Sequence, residues 1–371
     1  MDLGKDQFNT FSTFILDCWK EWVYYEEQKF PAGYFATEIL NFAGEAYDPI
    51  LERIITITNQ VDRAVQAGRD KGCDVLAELT PLMKETVTWI YTCPPFCYQQ
   101  SQRAWSEFDR AMDADQFRQD WDDTEEHLPF IFLLFSESVL KILVAIYNFC
   151  LLIRTFEKHY LRRLSKRTES TFAKAAHKCF DEGDGFLTVL EQMPFGEIEE
   201  FFFAPRLILQ FHYMQDPSDR DEWIAVQQVV CNRLIDFYVF DLMNGMQHGN
   251  APSQCRGCGR YFLTTNRRMP KYCDGVAPQN SRMTCRQYGA MMQQKEQNKQ
   301  HPVYRLFTTR TNTIRKHHQR GKISDELRRE ALYLAETYRD RALMDNDYAA
   351  NGYAQDMEQD HVYAEAEKRL K

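Results

Sequence analysis

Cys255, Cys258, Cys273 and Cys285 carry the clearest chemistry in this 371-residue chain. They run as C-x2-C, then fourteen residues, a third cysteine, then eleven residues and the fourth. A C-x2-C pair sets two thiolates on one tight turn, where both reach a single tetrahedral ion, and a later pair can complete the cage. Four cysteines leave no open coordination position, so the expected metal is a structural Zn2+ and not a catalytic one.

The residues around these ligands give a local layout. In CRGCGRYF, Gly259 lets backbone amides approach the sulfurs. Tyr261 to Leu263 read as a short strand, and Lys271-Tyr272-Cys273 as the strand returning to the metal, with DGVAPQNSRM as an inserted loop. Thr284 and Gln287 form a T-x-x-Q capping box, which puts Cys285 in the first turn of a helix, where the dipole favours a thiolate. Knuckle, hairpin and a ligand-bearing helix make a treble-clef-like layout. The other seven cysteines are scattered, as reduced thiols of a cytoplasmic protein would be, and the N-terminus lacks the features of a signal peptide.

Charge is divided unevenly. Residues 255–322 hold 15 Lys and Arg against Asp274 and Glu296, a net of +13. Residues 1–250 hold 23 basic and 40 acidic side chains, a net of −17. A basic module on an acidic body, beside a metal site, is the footprint of nucleic-acid contact. Arg260, Arg267, Arg268, Lys271, Arg282 and Arg286 surround the cysteines, and Arg305, Arg310, Arg315 and Lys316 follow on a later helix. These ten are the candidate contacts to DNA or RNA. Asn312 and Gln319 add side chains suited to base edges.

CRGCGRYF, KYC and TCRQYGA, followed by a basic helical stretch, resemble the CGNR-type zinc finger. More closely, residues 250–322 are similar to an uncharacterised family of bacterial and mobile-element proteins with a helical N-terminal region and such a finger. The resemblance implies that Cys255, Cys258, Cys273 and Cys285 are the metal ligands. It brings no established activity with it.

The elements that must position this module read as mainly helical. The expected architecture is an acidic helical domain over 1–250, the basic finger and its following helix over 251–322, and a C-terminal helix with an acidic, frayed tail over 323–371. Helices are expected near 5–28, 47–67, 75–91, 99–118, 129–153 and 220–245, the last stopping at Gly245 and Gly249. The 129–153 stretch is long enough to span a bilayer, but Glu137 and Lys141 in its middle argue for a core helix. Downstream, a polar helix from Cys285 breaks at Pro302, and Ser324 caps another whose Leu327, Ala331, Leu334 and Tyr338 form an apolar stripe.

Catalytic motifs are missing: there is no P-loop, G-x-G-x-x-G, H-E-x-x-H or G-x-S-x-G. His212, in an apolar run, reads as a core histidine, and Cys93 and Cys97 read as structural. The turn at 181–186 and the acidic runs at 120–127 and 197–200 read as surface. The expectation is a non-enzymatic, regulatory nucleic-acid-binding protein. The alternative is an interaction protein in which the finger is a structural clamp. No membrane partner is expected. A second copy of the chain, or masking of the basic module by the acidic domain, completes the set of partners.

Overall fold

The computed structural model describes residues 13–42, 48–99, 130–181, 206–216, 219–265 and 270–370. Nearly all of the expected helix at 99–118 and of the turn at 181–186, and the acidic runs at 120–127 and 197–200, lie outside them. The chain divides into two compact units, Met1–Cys273 and Asp274–Lys371. It is mainly helical, but the first unit also holds a five-stranded antiparallel sheet.

That sheet corrects the reading of the N-terminal region as helical. It consists of β1 (Phe14–Trp19), β2 (Trp22–Tyr25), β3 (Gln28–Pro31), β4 (Leu207–Asp216) and β5 (Asp219–Cys231), in the order β3-β2-β1-β5-β4. Where a helix was expected over 5–28, β1 alternates: Phe14 and Leu16 are buried and Ile15 is exposed. The expected helix at 220–245 is half strand. Trp223, Val226 and Val229 fall at helical spacing, yet as a strand the segment buries Val229 and exposes Trp223. Pairing of β1 with β5, more than 200 residues later in sequence, holds both as strands (Phe14 opposite Cys231, Leu16 opposite Val229). No local pattern carries that information. His212 lies exposed on β4, not in the core.

The helical core follows its apolar spacing. Helices α1 (Tyr34–Phe42) and α2 (Asp48–Thr92) are followed by α3 (Phe130–His159) and the short α4 (Glu169–Ala176); α5 (Leu234–Gln247) follows the sheet. Helix α2 is interrupted at Gly68, whose φ of 71° is left-handed, so the two blocks expected there are two arms of one element. On α3, Leu143, Ile146, Phe149, Ile153 and Phe156 are buried at intervals of three and four. This helix is long and apolar enough to cross a membrane, but 67% of its apolar window is buried within the protein. Lys141 and Glu137 pair at 2.6 Å on its exposed side.

Helices α1 and α5 are joined by one buried carboxylate. Asp241 on α5 accepts from Gly33 N through Oδ1 and from Ala36 N through Oδ2, both at 2.9 Å. It thereby satisfies donors that the first turn of α1 cannot pair internally. Gly245, one turn further along, lies inside α5 and is not the helix stop expected. A Cβ there would meet Gly33 Cα at 2.8 Å. Its role is to let the backbones touch.

In the second unit, hairpin strands β8 (Val276–Ala277) and β9 (Asn280–Thr284) lead into α6 (Cys285–Gln300), α7 (Pro302–Gln319) and α8 (Asp325–Met344), then α9 (Asn346–Asn351), α10 (Tyr353–Asp356) and α11 (Gln359–Leu370). Thr284 and Ser324 cap α6 and α8 as their sequences require. Ala331 and Leu334 of α8 pack with Ile314, Val362 and Ala366, and a second cluster gathers Val303, Ala335, Ala342, Tyr353 and Met357. The tail is therefore not frayed: α11 buries Val362 and Ala366.

Two measurements test this packing. Burial pushes the Asp241 carboxyl up to about 6, while the backbone donors of Ala36, Gly33 and Phe35 oppose the rise. The unfolded group titrates near 3.8, so its contribution to stability is full below that pH and is lost as the pH rises to about 6. Between those limits, urea unfolding should show Asp241→Asn gaining on the native protein by on the order of 3 kcal/mol. Gly245→Ala should cost roughly 1–3 kcal/mol in the same assay by overpacking.

Candidate metal centre

The metal site grows from a turn. Strands β6 (Ala251–Gln254) and β7 (Tyr261–Thr264) pair antiparallel, and the C-x2-C segment is the loop that joins them. Cys255 N donates to Arg260 O at 2.8 Å and Gly259 N to Cys255 O at 3.0 Å, closing the knuckle. Gly259 has a φ of 76°, which is why glycine follows the second cysteine. Lys271 and Cys273 do not form the returning strand expected. Instead Arg256 N donates to Lys271 O at 2.9 Å, and the second strand of the pair comes from before the knuckle. The loop read as an insertion contains the β8–β9 hairpin, which delivers Cys285 to the N-terminus of α6.

All four cysteine sulfurs lie within 4.8 Å of one another. Cys258 Sγ and Cys273 Sγ are 3.6 Å apart, and no cysteine of the chain is in a disulfide. A tetrahedral thiolate cage with metal–sulfur bonds of about 2.3 Å has sulfur–sulfur edges of about 3.8 Å, so the cluster is the size such an ion needs. Cys255, Cys273 and Cys285 are buried and Cys258 is half-buried. The four residues thus form a closed group able to hold one metal ion.

The electrostatics set Cys255 apart from the other buried thiols. Burial pushes Cys255 up, but backbone donors from Cys273, Cys258 and Gly257 outweigh it and bring the thiol down to about 7. Cys273 N and Gly257 N approach its sulfur at 3.3 and 3.4 Å. Cys150, Cys179 and Cys231, equally hidden, are pushed up to about 12 by burial. Amides aimed at the Cys255 sulfur favour the thiolate form that a metal ligand takes.

Residues that sequence reasoning missed hold the knuckle in place. Asn41 of α1 accepts from Tyr261 N at 2.7 Å and donates to Tyr261 O at 2.9 Å, imitating a neighbouring strand. The buried Arg167 donates to Ala251 O at 3.2 Å and to the Thr264 hydroxyl. Arg162 bridges Glu157 and Gln254, at 2.7 and 2.9 Å. None sits in a recognisable motif, because each reaches β6 or β7 from more than 80 residues earlier in the chain.

The expected nucleic-acid contacts divide. Arg260, Lys271, Arg282, Arg305, Arg315 and Lys316 are exposed. Arg286, also exposed, pairs with Asp274 at 2.9 Å. Arg310 is half-buried and donates through Nε to Met357 O at 2.5 Å, so it also serves the fold of the second unit. Arg267 and Arg268 lie outside the described residues.

Residues 204–369 match the model of a family of unknown function, DUF6076. The matched span starts just before β4 and takes in the knuckle, the four cysteines and all the C-terminal helices. No curated protein matches the chain, and no solved structure does.

Elemental analysis of the purified full chain should find one bound metal ion per chain, and Cys258→Ser should lower that content well below one. Far-UV circular dichroism should show most of the helical signal persisting in the variant, because α1, α2, α3 and α5 pack without Cys255, Cys258, Cys273 or Cys285.

Proposed function

We propose that the four cysteines hold a structural Zn2+ in a treble-clef-like finger, and that the chain binds nucleic acid in a regulatory role. Zinc is favoured over other ions by an all-thiolate tetrahedral donor set. The order of knuckle, β8–β9 hairpin and helix bearing Cys285 supports the treble-clef reading, as does the resemblance to CGNR-type fingers. A cage closed by four sulfurs gives the metal no water to activate, which favours a folding role over a catalytic one. Seven further cysteines, none in a disulfide, suit a reducing, cytoplasmic compartment.

The observation that carries nucleic-acid binding is the outer face of α7. In eighteen residues this helix has no acidic side chain. Its inner face buries Val303, Thr311 and Ile314. The opposite face exposes Arg305, Asn312, Arg315, Lys316 and Gln319 in successive turns. Cations at that spacing suit phosphates, and the amides suit base edges. Near the knuckle, Arg256, Arg260 and Lys271 are exposed too, as is Arg282 of β9.

Fluorescence anisotropy of the full chain on mixed-sequence DNA and RNA, titrated with salt, tests the proposal. Five phosphate contacts should give a log–log slope of roughly −4.5, and replacing Arg305, Arg315 and Lys316 together with Ala should flatten it by roughly 2–3. No binding at low salt would overturn the nucleic-acid reading. The finger would then be a structural clamp in a protein-interaction protein.

A further inference from the structure

Helix α7 is 18 residues long, roughly 27 Å at 1.5 Å per residue. At 3.6 residues per turn, Arg305, Thr308, Asn312, Arg315, Lys316 and Gln319 fall within an arc of about 120°, and all six are exposed. Thr309, also exposed, lies on the same arc. Val303, Thr311 and Ile314 are buried on the opposite side. The arc holds three cations and neither a carboxylate nor an aromatic ring. Tyr304 and Phe307 lie off it and are half-buried, with the His301 ring against Tyr304 and the Arg339 guanidinium 4.6 Å over Phe307. Unlike Arg310 and Arg286, the side chains of Arg305, Asn312, Arg315 and Lys316 have no hydrogen bond or ion pair among the described residues. The next carboxylate along the chain, Asp325, is taken by Arg328 and Arg329, at 2.6 and 2.7 Å.

We propose that the nucleic acid bound is double-stranded DNA and that α7 enters its major groove, with Asn312 against an adenine edge; this rests on the nucleic-acid reading above. Single strands are held by stacking bases on exposed aromatic rings, and this face has none. Duplex RNA has a major groove too deep and narrow for side chains to read. The major groove of B-form DNA, about 12 Å wide, admits a helix whose diameter with side chains is about 10–12 Å. The arc has no bulky side chain between Arg305 and Asn312 to hold the helix off the bases. Thr308 and Thr309 are short, and Thr309 turns its hydroxyl back to Arg305 O at 2.9 Å. Along the axis, Asn312 has Arg305 about 10 Å to one side and Arg315 and Lys316 about 5 Å to the other. Its free carboxamide can accept from adenine N6 and donate to N7, while the flanking cations reach phosphates.

Fluorescence anisotropy of the full chain on four probes of one mixed sequence, at equal salt, is the first test: duplex DNA, duplex RNA and a single strand of each. Duplex DNA should bind tightest. Selection from a randomised DNA duplex pool should then enrich a sequence motif. On that motif Asn312→Ala should weaken binding roughly five- to hundredfold and leave the salt slope unchanged. Replacing the motif's adenines with 7-deazaadenine, which lacks the N7 acceptor, should weaken the native chain and leave the variant unaffected. Equal or tighter binding to RNA or to a single strand, a pool that yields no motif, or a duplex affinity indifferent to both changes would each overturn the proposal and leave the nucleic-acid reading standing. No binding to any of the four probes at low salt would remove that reading and the proposal with it. Should Asn312→Ala misfold, the native chain on 7-deazaadenine duplexes decides alone.

Discussion

Four cysteine sulfurs lie within 4.8 Å of one another, and as thiolates they would repel unless a cation lay among them. The local structure from Ala251 to the start of α6 answers to this constraint. Glycine after Cys258 allows the knuckle to turn, amides are aimed at Cys255 Sγ, and the capping box of α6 sets Cys285 at a helix N-terminus. A divalent ion leaves the cage with a formal charge of −2, which those amides and the helix dipole offset. The exposed cations around the knuckle lie where the same negative charge attracts them.

The knuckle does not stand alone. Within the first unit, its two strands are fastened to the preceding helical segments by a buried guanidinium, a side-chain amide and an ion pair, through Arg167, Asn41 and Arg162 with Glu157. Burial lowers Arg167 to about 10, opposed by the charge of Glu157. Holding a cation there is costly unless its hydrogen bonds are made, which ties the geometry of β6 and β7 to that of the helices around them. The contact between α1 and α5 follows the same logic, since Asp241 is tolerated in the core because it accepts amides that would otherwise go unpaired.

Much of the candidate site was legible in the sequence. The ligand set, Gly259, the Thr284–Gln287 box, the break at Pro302 and the Ser324 cap all depend on residues within a few positions of one another. So does α3, whose apolar spacing and Glu137–Lys141 pair mark it as a core helix. The misreadings share a cause. The segments 14–31 and 207–231 form local antiparallel hairpins that only the distant β1–β5 pairing joins into one sheet, and Trp223, Val226 and Val229 satisfy a helical period by coincidence. The bond from Arg310 to Met357 O, 47 residues on, is likewise invisible in the local sequence.

The sequence by itself determined the chemistry of the metal group, the caps and breaks of its helices, and the division of charge between the acidic body and the basic stretch. These are short-range properties, set by residue type and spacing within a turn or two. Only the tertiary structure decided the five-stranded sheet, the fastening of the knuckle by Asn41 and Arg167, and which cations remain at the surface. Those depend on contacts between residues tens to hundreds of positions apart, where the free energy of burial and pairing outweighs what any local segment prefers.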